Sequence, residues 1–324
     1  MHGPDAAAPH PRLHALLRQA CARAPDDAPQ RLGLVYPCDA LALEAAHHLA
    51  ERGLVRPVLV GPAKRIRQVA QQAGVAIDAL DCVDTGDHGP HAVAERAVRL
   101  AAQGELDALM KGSLHTDELM AAVVDKAAGL RGARRISHSF VFDLPRYHKL
   151  LALTDCVVNI APDLRTKRDI LSNALDLQGA LGQTASKVGV VAAVETVNPA
   201  IEATLHAREL MALHAQGAWP TASLAGPLGL DNALSAQAAR IKKIDSPVCG
   251  DPDVLLMPDL NAGNMLYKSF VYMGQGECAG LVLGARVPVV LTSRADSLLS
   301  RLASVALAVL FARHTAHLPK ELPC

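Results

Sequence analysis

One unit recurs along this chain and constrains its fold more than any other feature: a short β-branched apolar run, a polar turn, then apolar residues at helical spacing. Arg286 to Ser297, Arg-Val-Pro-Val-Val-Leu-Thr-Ser-Arg-Ala-Asp-Ser, shows it in full. Val287 to Leu291 reads as a buried strand, and a hydroxyl, a guanidinium and a carboxylate follow before a helical pattern opens at Ser297. In open α/β sheets ligands sit outside the carboxyl ends of the strands, where a helix N-terminus offers unpaired N–H groups and a favourable dipole for an anion. Arg294 there suits bidentate binding of a phosphate, which lysine does less well, with Ser293 as a hydroxyl donor and Asp296 as a base. Ser293 or Asp296 also serves as an ordinary helix cap, and the local pattern leaves both readings open.

The same unit repeats from the start. Residues 1–11 form a loose tail, and Leu13, Leu16, Leu17 and Ala20 begin a helical stripe. Strands are expected at 31–36, 55–60, 81–83, 106–110, 140–143, 150–153, 157–160, 188–194, 219–224, 254–257, 280–283 and 287–291. Between them lie helical patterns from Asp39 to Glu51, over 64–72, 91–103, 117–128 and 166–182, from Pro199 to Gln216, in the Ala-rich stretch after Asn232, and over 265–273 and 297–313. Strands alternating with helices over about 300 residues mean a doubly wound α/β architecture. No repeat period suggests a solenoid.

Charge then narrows the function classes. With 32 basic and 32 acidic residues the formal net charge is +0, so no global field draws the protein to nucleic acid or an anionic membrane. Any phosphate site is local. Seven cysteines are scattered with no C-x-x-C and no Cys/His cluster, which argues for reduced thiols rather than a disulfide frame or a zinc site. Residues 1–11 lack the apolar core of a signal peptide, and no uninterrupted apolar run approaches membrane length. A soluble, cytoplasmic protein is expected.

Motifs with a fixed mechanism are missing. There is no Gly-x-Gly-x-x-Gly after a strand, no Gly-x-x-x-x-Gly-Lys-Ser/Thr, no His-Glu-x-x-His and no Gly-x-Ser-x-Gly. What recurs is the polar strand end: Lys111 to Thr116, Ala161 to Leu164, Glu195 to Pro199, Gly226 to Asn232, Asp259 to Asn264 and Thr292 to Ser297. Each alone is an ordinary turn and cap, but six on one edge of parallel sheets line a cleft. His138 and His148, near Arg146, are candidate catalytic groups, although core or surface histidines are the commoner case.

Together these turns bring a family into view. Ala279 to Pro288 running into Thr292-Ser293-Arg294-Ala295-Asp296-Ser297 resembles the C-terminal signature of the phosphate acetyl/butyryltransferases. The resemblance continues upstream through Met257 to Lys268, Gly226 to Ala233, Val194 to Pro199, Asn159 to Leu164, and Leu109-Met110-Lys111-Gly112 with His115-Thr116. These motifs are ordered over residues 80–310, and the Ser-Arg-Ala-Asp-Ser form looks more like the butyryltransferase side.

The resemblance implies two doubly wound α/β domains with a cleft between them, isocitrate/isopropylmalate-dehydrogenase-like. Residues 1–135 plus 290–324 would form a discontinuous first domain and 136–289 the second, usually in a homodimer. It also implies reversible transfer of a short acyl group, such as acetyl, propionyl or butyryl, between coenzyme A and inorganic phosphate. Coenzyme A enters as a substrate, with no tightly bound cofactor and no metal required. Asp296 would be the base for the thiol, Arg294 would bind phosphate, and Ser293 would donate to the oxyanion. Lys111, His115, Asn261 and Asn264 would line the substrate site, with Arg131, chosen over Arg134 and Arg135, as a second phosphate-binding arginine. Two other readings stand beside this one: a metal- and NAD(P)-dependent hydroxyacid oxidoreductase on the same general fold, and a non-catalytic acyl-CoA-binding relative.

Overall fold

The computed structural model describes residues 9–22, 28–126, 130–293 and 295–316. Its first half runs α1 (Pro11–Cys21), β1 (Arg31–Val35), α2 (Ala40–Glu51), β2 (Arg56–Gly61), α3 (Ala63–Ala73), β3 (Asp81–Asp84), α4 (Pro90–Ala102), β4 (Ala108–Lys111) and α5 (Thr116–Val124). The chain continues with β5 (Ser137–Asp143), β6 (Leu151–Thr154), α6 (Leu164–Ala180), β7 (Ser186–Val191), α7 (Glu202–Ala215), β8 (Ala222–Leu228), α8 (Leu230–Leu234) and α9 (Ala236–Ile241). The last elements are β9 (Val254–Leu256), α10 (Leu260–Tyr272), β10 (Glu277–Leu283), β11 (Val289–Val290) and α11 (Leu298–Ala316).

All strands join one sheet of 11, ordered β3-β2-β1-β4-β11-β10-β5-β6-β9-β7-β8. Buried runs such as Leu32 to Val35 and Ala108 to Met110 are covered on both faces, as parallel strands require. The sheet is mixed. β3, β2, β1, β4 and β11 run parallel to one another, and β6, β9, β7 and β8 form a second parallel block. Between them β10 is antiparallel to both β11 and β5, and β5 is antiparallel to β6, so the two blocks run in opposite senses.

This corrects the expectation of six polar strand ends on one edge. The turns after β4 and β11 leave one edge; those after β6, β7, β8 and β9 leave the other. Twist of about 20° per strand rotates β9 by roughly 100° from β4 across five strand steps, so the opposed edges are not back to back.

α11 sits at the centre. It is apolar nearly all round, with Leu302, Val305, Leu307, Val309 and Phe311 among its buried residues, and it packs on β10 and against α1, α2 and α6. Its length and composition would suffice to cross a membrane, but most of its surface is buried inside the protein, as in a core helix. Close approach to the sheet shows at Gly280, whose N–H donates to Ser304 Oγ at 2.9 Å. A Cβ at Gly280 would stand 3.0 Å from the His138 ring.

Other local differences from the sequence expectations have visible causes. Residues 157–160 are a turn rather than a strand, because the Asp155 carboxylate accepts from the backbone N–H groups of Val157, Val158 and Asn159 at 2.9, 3.0 and 3.2 Å. The Ala-rich stretch splits into α8 and α9 at Ser235, whose hydroxyl caps the second piece. Asp259 caps α10 through Ala262 N–H at 3.0 Å, which starts that helix earlier than expected and places Asn261 and Asn264 on its first turns.

Asp143, at the end of β5, fixes α1. Its carboxylate accepts from the N–H groups of Arg12 at 2.8 Å and Leu13 at 3.3 Å and pairs with the Arg12 guanidinium. A cap supplied from 131 residues away makes α1 part of the core. Asp143→Ala is expected to cost about 2–3 kcal/mol of stability, since it strands two helix N–H donors and removes the partner of the half-buried Arg12 guanidinium. Urea unfolding measures this, and an unchanged midpoint would remove Asp143 from the anchoring of α1.

Candidate active site

The polar turns after β4 and β11 are tied together. Thr292, just past β11, donates its hydroxyl to the Lys111 carbonyl at 3.0 Å. The β4 turn in turn lies against β1: a Cβ at Gly112 would stand 2.6 Å from the carbonyl oxygens of both Val35 and Tyr36, so only glycine fits there.

The Ser293 turn also closes on itself. Ser293 N–H donates to Asp296 Oδ2 at 2.6 Å, and Asp296 N–H donates to the Ser293 carbonyl at 3.2 Å. Arg301, buried in α11, donates from Nη2 to the Ser293 carbonyl at 2.7 Å. The cap of α11 is Ser297, which accepts from Ser300 N–H at 3.0 Å. Ser293 and Asp296 are therefore fixed in a turn of their own, which resolves the alternative of a helix cap.

Electrostatics single out Asp296. Burial raises its pKa; the Ser293 N–H, Arg301 and Lys111 oppose that rise, and Glu277 adds to it. The result is a carboxyl group that holds a proton more readily than an ordinary aspartate and lies within electrostatic reach of a cation. Lys111 is itself buried, with Nζ donating to the carbonyls of Gly112 and Leu114, each at 3.2 Å. Tyr267, stacked on Phe140 with ring centroids 4.2 Å apart, reaches the same region from α10. Burial first, then Cys278 and Asp296, push its phenol up, so it stays a neutral donor. The Cys278 thiol is pushed up by burial, Asp296 and Glu277, which makes it a poor nucleophile.

The remaining expected residues are more dispersed. Arg294 lies outside the described residues. His115 is exposed before α5, its N–H donating to Glu118 Oε2 at 2.7 Å. Arg131 is exposed and forms an isolated backbone bridge with Ala285. Arg134 pairs with Asp176 at 2.6 Å, and Arg135 donates from Nε to Asn159 Oδ1 at 3.1 Å. Asn264 donates to the Cys156 carbonyl at 3.2 Å, while Asn261 is exposed on the same helix. His138 is fully buried, and burial pushes it down to about 3, so it is neutral in the core. His148 pairs with Asp251 at 2.8 Å.

Two cavities lie at the carboxyl ends of the second block. One of about 390 Å³ is lined by Val191, Ala193, Met257, Asp259, Ala262 and Leu266. The other, about 280 Å³, is lined by Arg135, residues 158–162 and Thr166. Neither includes Ser293 or Asp296. Among the described residues no group of three or more His, Cys, Asp or Glu side chains is arranged to hold a metal ion.

The site can be set beside known proteins. A family model described as phosphate acetyl/butaryl transferase matches residues 91–309, which includes every turn that forms this region. The chain belongs to this family. It is 48% identical over 293 residues to the phosphate acetyltransferase of Rhizobium meliloti, covering 90% of this chain and 92% of that protein. A branched-chain phosphotransacylase from Enterococcus faecalis V583 superposes with a TM-score of 0.76 at 28% identity, over 88% of this chain and 99% of that one. The 4-hydroxythreonine-4-phosphate dehydrogenase of Burkholderia phymatum, 15% identical with a TM-score of 0.53, covers 88% of this chain and 99% of its own and shares the fold alone. The dehydrogenase-like α/β architecture is thus shared beyond the family.

Sequence reasoning missed Arg301, Tyr267 and Glu277 as members of this region. Tyr267 had a signal, being one of four tyrosines in a chain with 3% aromatic residues and lying inside the Met257 to Lys268 motif. Glu277 had none, because only the antiparallel return of β10 brings it beside a turn near residue 296. One consequence is measurable without substrate. Alkylation of the native protein at pH 8, read by peptide mass spectrometry, is expected to label exposed Cys82 well before Cys278, which reacts only on unfolding. Equal rates would contradict the buried surroundings assigned to Asp296.

Proposed function

We propose that the joined turns after β4 and β11 are the reaction centre of this acyltransferase. The chain catalyses reversible transfer of a short acyl group between coenzyme A and inorganic phosphate, acyl-CoA + phosphate giving acyl phosphate + CoA. The observation that carries the placement is Asp296: a carboxyl group raised by burial, facing Lys111, and fixed by Ser293 and Arg301.

In the direction of acyl-CoA synthesis, Asp296 accepts the thiol proton as sulfur attacks the carbonyl carbon of the acyl phosphate. Ser293 donates to the oxyanion of the tetrahedral intermediate, and Arg294 holds the phosphate, which leaves with the electron pair of the broken C–O bond. Lys111 adds positive charge beside the developing anion. Both substrates bind together, so positioning contributes much of the rate and no acyl-enzyme is needed. Coenzyme A is a substrate, and neither a metal nor a tightly bound cofactor enters the scheme. His115, Arg131, Asn261 and Asn264 complete the cleft, with Arg131 as a second phosphate ligand.

The same reading takes residues 1–135 plus 290–324 as one domain and 136–289 as the other. β11 supports this by returning to the first block, where it pairs with β4. A cytoplasmic homodimer fits a chain with no net charge and the family's metabolic reaction. Coenzyme A-dependent phosphate release from acetyl, propionyl and butyryl phosphate tests the scheme. Asp296→Asn and Arg294→Ala are each expected to lose about 2 kcal/mol or more of transition-state stabilisation, roughly thirtyfold in kcat/KM. Near-normal turnover by Asp296→Asn would move the base elsewhere.

A further inference from the structure

Glu277 opens β10, the antiparallel neighbour of β11, so it stands at the sheet edge from which the Ser293 turn leaves. Its carboxylate accepts from the hydroxyl of Ser300, in the first turn of α11. Ser300 is buried, and its hydroxyl also lies against the Cys278 carbonyl, which fixes the acid to the helix that follows Asp296. Two carboxyl groups thus share one corner of the protein. Each adds to the rise that burial gives the phenol of Tyr267 and the thiol of Cys278. The other groups that face Asp296 are Lys111 from β4 and Arg301 from α11.

We infer that Glu277 is a positioning residue of the acyl transfer, acting through Asp296: tied through Ser300 to the start of α11, it sets a second carboxyl group in the corner that holds the Asp296 turn and so makes that residue a better acceptor for the thiol proton. The inference rests on Asp296 being the base. The chemistry is unchanged: the S–H proton passes to Asp296, the C–S bond forms, and the C–O bond to phosphate breaks with its electron pair on the phosphate. Glu277 needs no contact with any of these atoms. Lys111 and Arg301 pull the other way, stabilising the carboxylate, and Glu277 adds to the burial that opposes them.

The sign of the effect gives the test. Removing the charge in Glu277→Gln favours ionised Asp296, so the acid limb of the pH profile of kcat/KM for coenzyme A moves to lower pH, by about half a unit or more. The plateau falls by about twofold to threefold, because a weaker base accepts the proton. Glu277→Asp, which restores the charge, is expected to keep the limb near its wild-type position, and Ser300→Ala to give a smaller shift in the direction of Glu277→Gln. The KM for phosphate stays unchanged in all three. An acid limb that does not move in Glu277→Gln, whatever happens to the plateau, overturns the inference and leaves Glu277 a structural residue. Full activity in Asp296→Asn would overturn it differently, by removing the base through which Glu277 acts.

Discussion

A strand of two residues holds the architecture together. Val289 and Val290 pair in parallel with Leu109 and Met110 of β4, while Val289 pairs in antiparallel fashion with Val282 of β10. Without that return the first parallel block would end at an open β4 edge and the sheet would not run continuously into the second. The turn carrying Ser293 and Asp296 is the continuation of this strand. Its position is therefore set by the same pairing that joins the two halves of the sheet, and the Thr292 hydrogen bond to Lys111 completes the alignment.

The chemistry of the turn is a balance of opposed influences on one carboxyl group. Burial favours its protonated form, whereas a backbone N–H, Arg301 and Lys111 favour the charged one. An exposed aspartate would be too weak a base for a thiol near neutral pH, and a fully buried, unpaired one would stay protonated. The intermediate setting suits a group that must take and return a proton in a reversible reaction. Pinning by main-chain hydrogen bonds keeps that setting constant, since the Ser293 carbonyl is held by Arg301 and the Ser293 N–H by Asp296 itself.

Much of this was legible in the residues. The β-branched runs marked nearly every strand, because strands covered on both faces must be apolar throughout. Asp39 marked a helix start through a side-chain cap that the structure contains, whereas the caps at Asp163 and Asp259 start α6 and α10 earlier than the residue pattern indicated. Residues 157–160 were misread because a buried aspartate two residues upstream took their N–H groups, a competition invisible to hydropathy. Strand sense was also invisible: parallel and antiparallel neighbours can carry the same apolar pattern, so the division of the polar turns between two edges had to come from coordinates. The same limit hid Glu277. Ser293 and Asp296 stood out because their signal is local, whereas the groups that tune them come from β4, β10 and α11.

The hydrogen bond from Thr292 to Lys111 spans 181 residues of chain. Contacts of such separation raise the contact order of the fold, which slows folding. During synthesis that edge of β4 has no partner until the second block and β11 have emerged. The reaction centre consequently cannot form before β11 and the turn after it have been made. No shorter nascent chain contains the turn together with the strand it leans on, so the protein does not acquire its chemistry before its fold is closed.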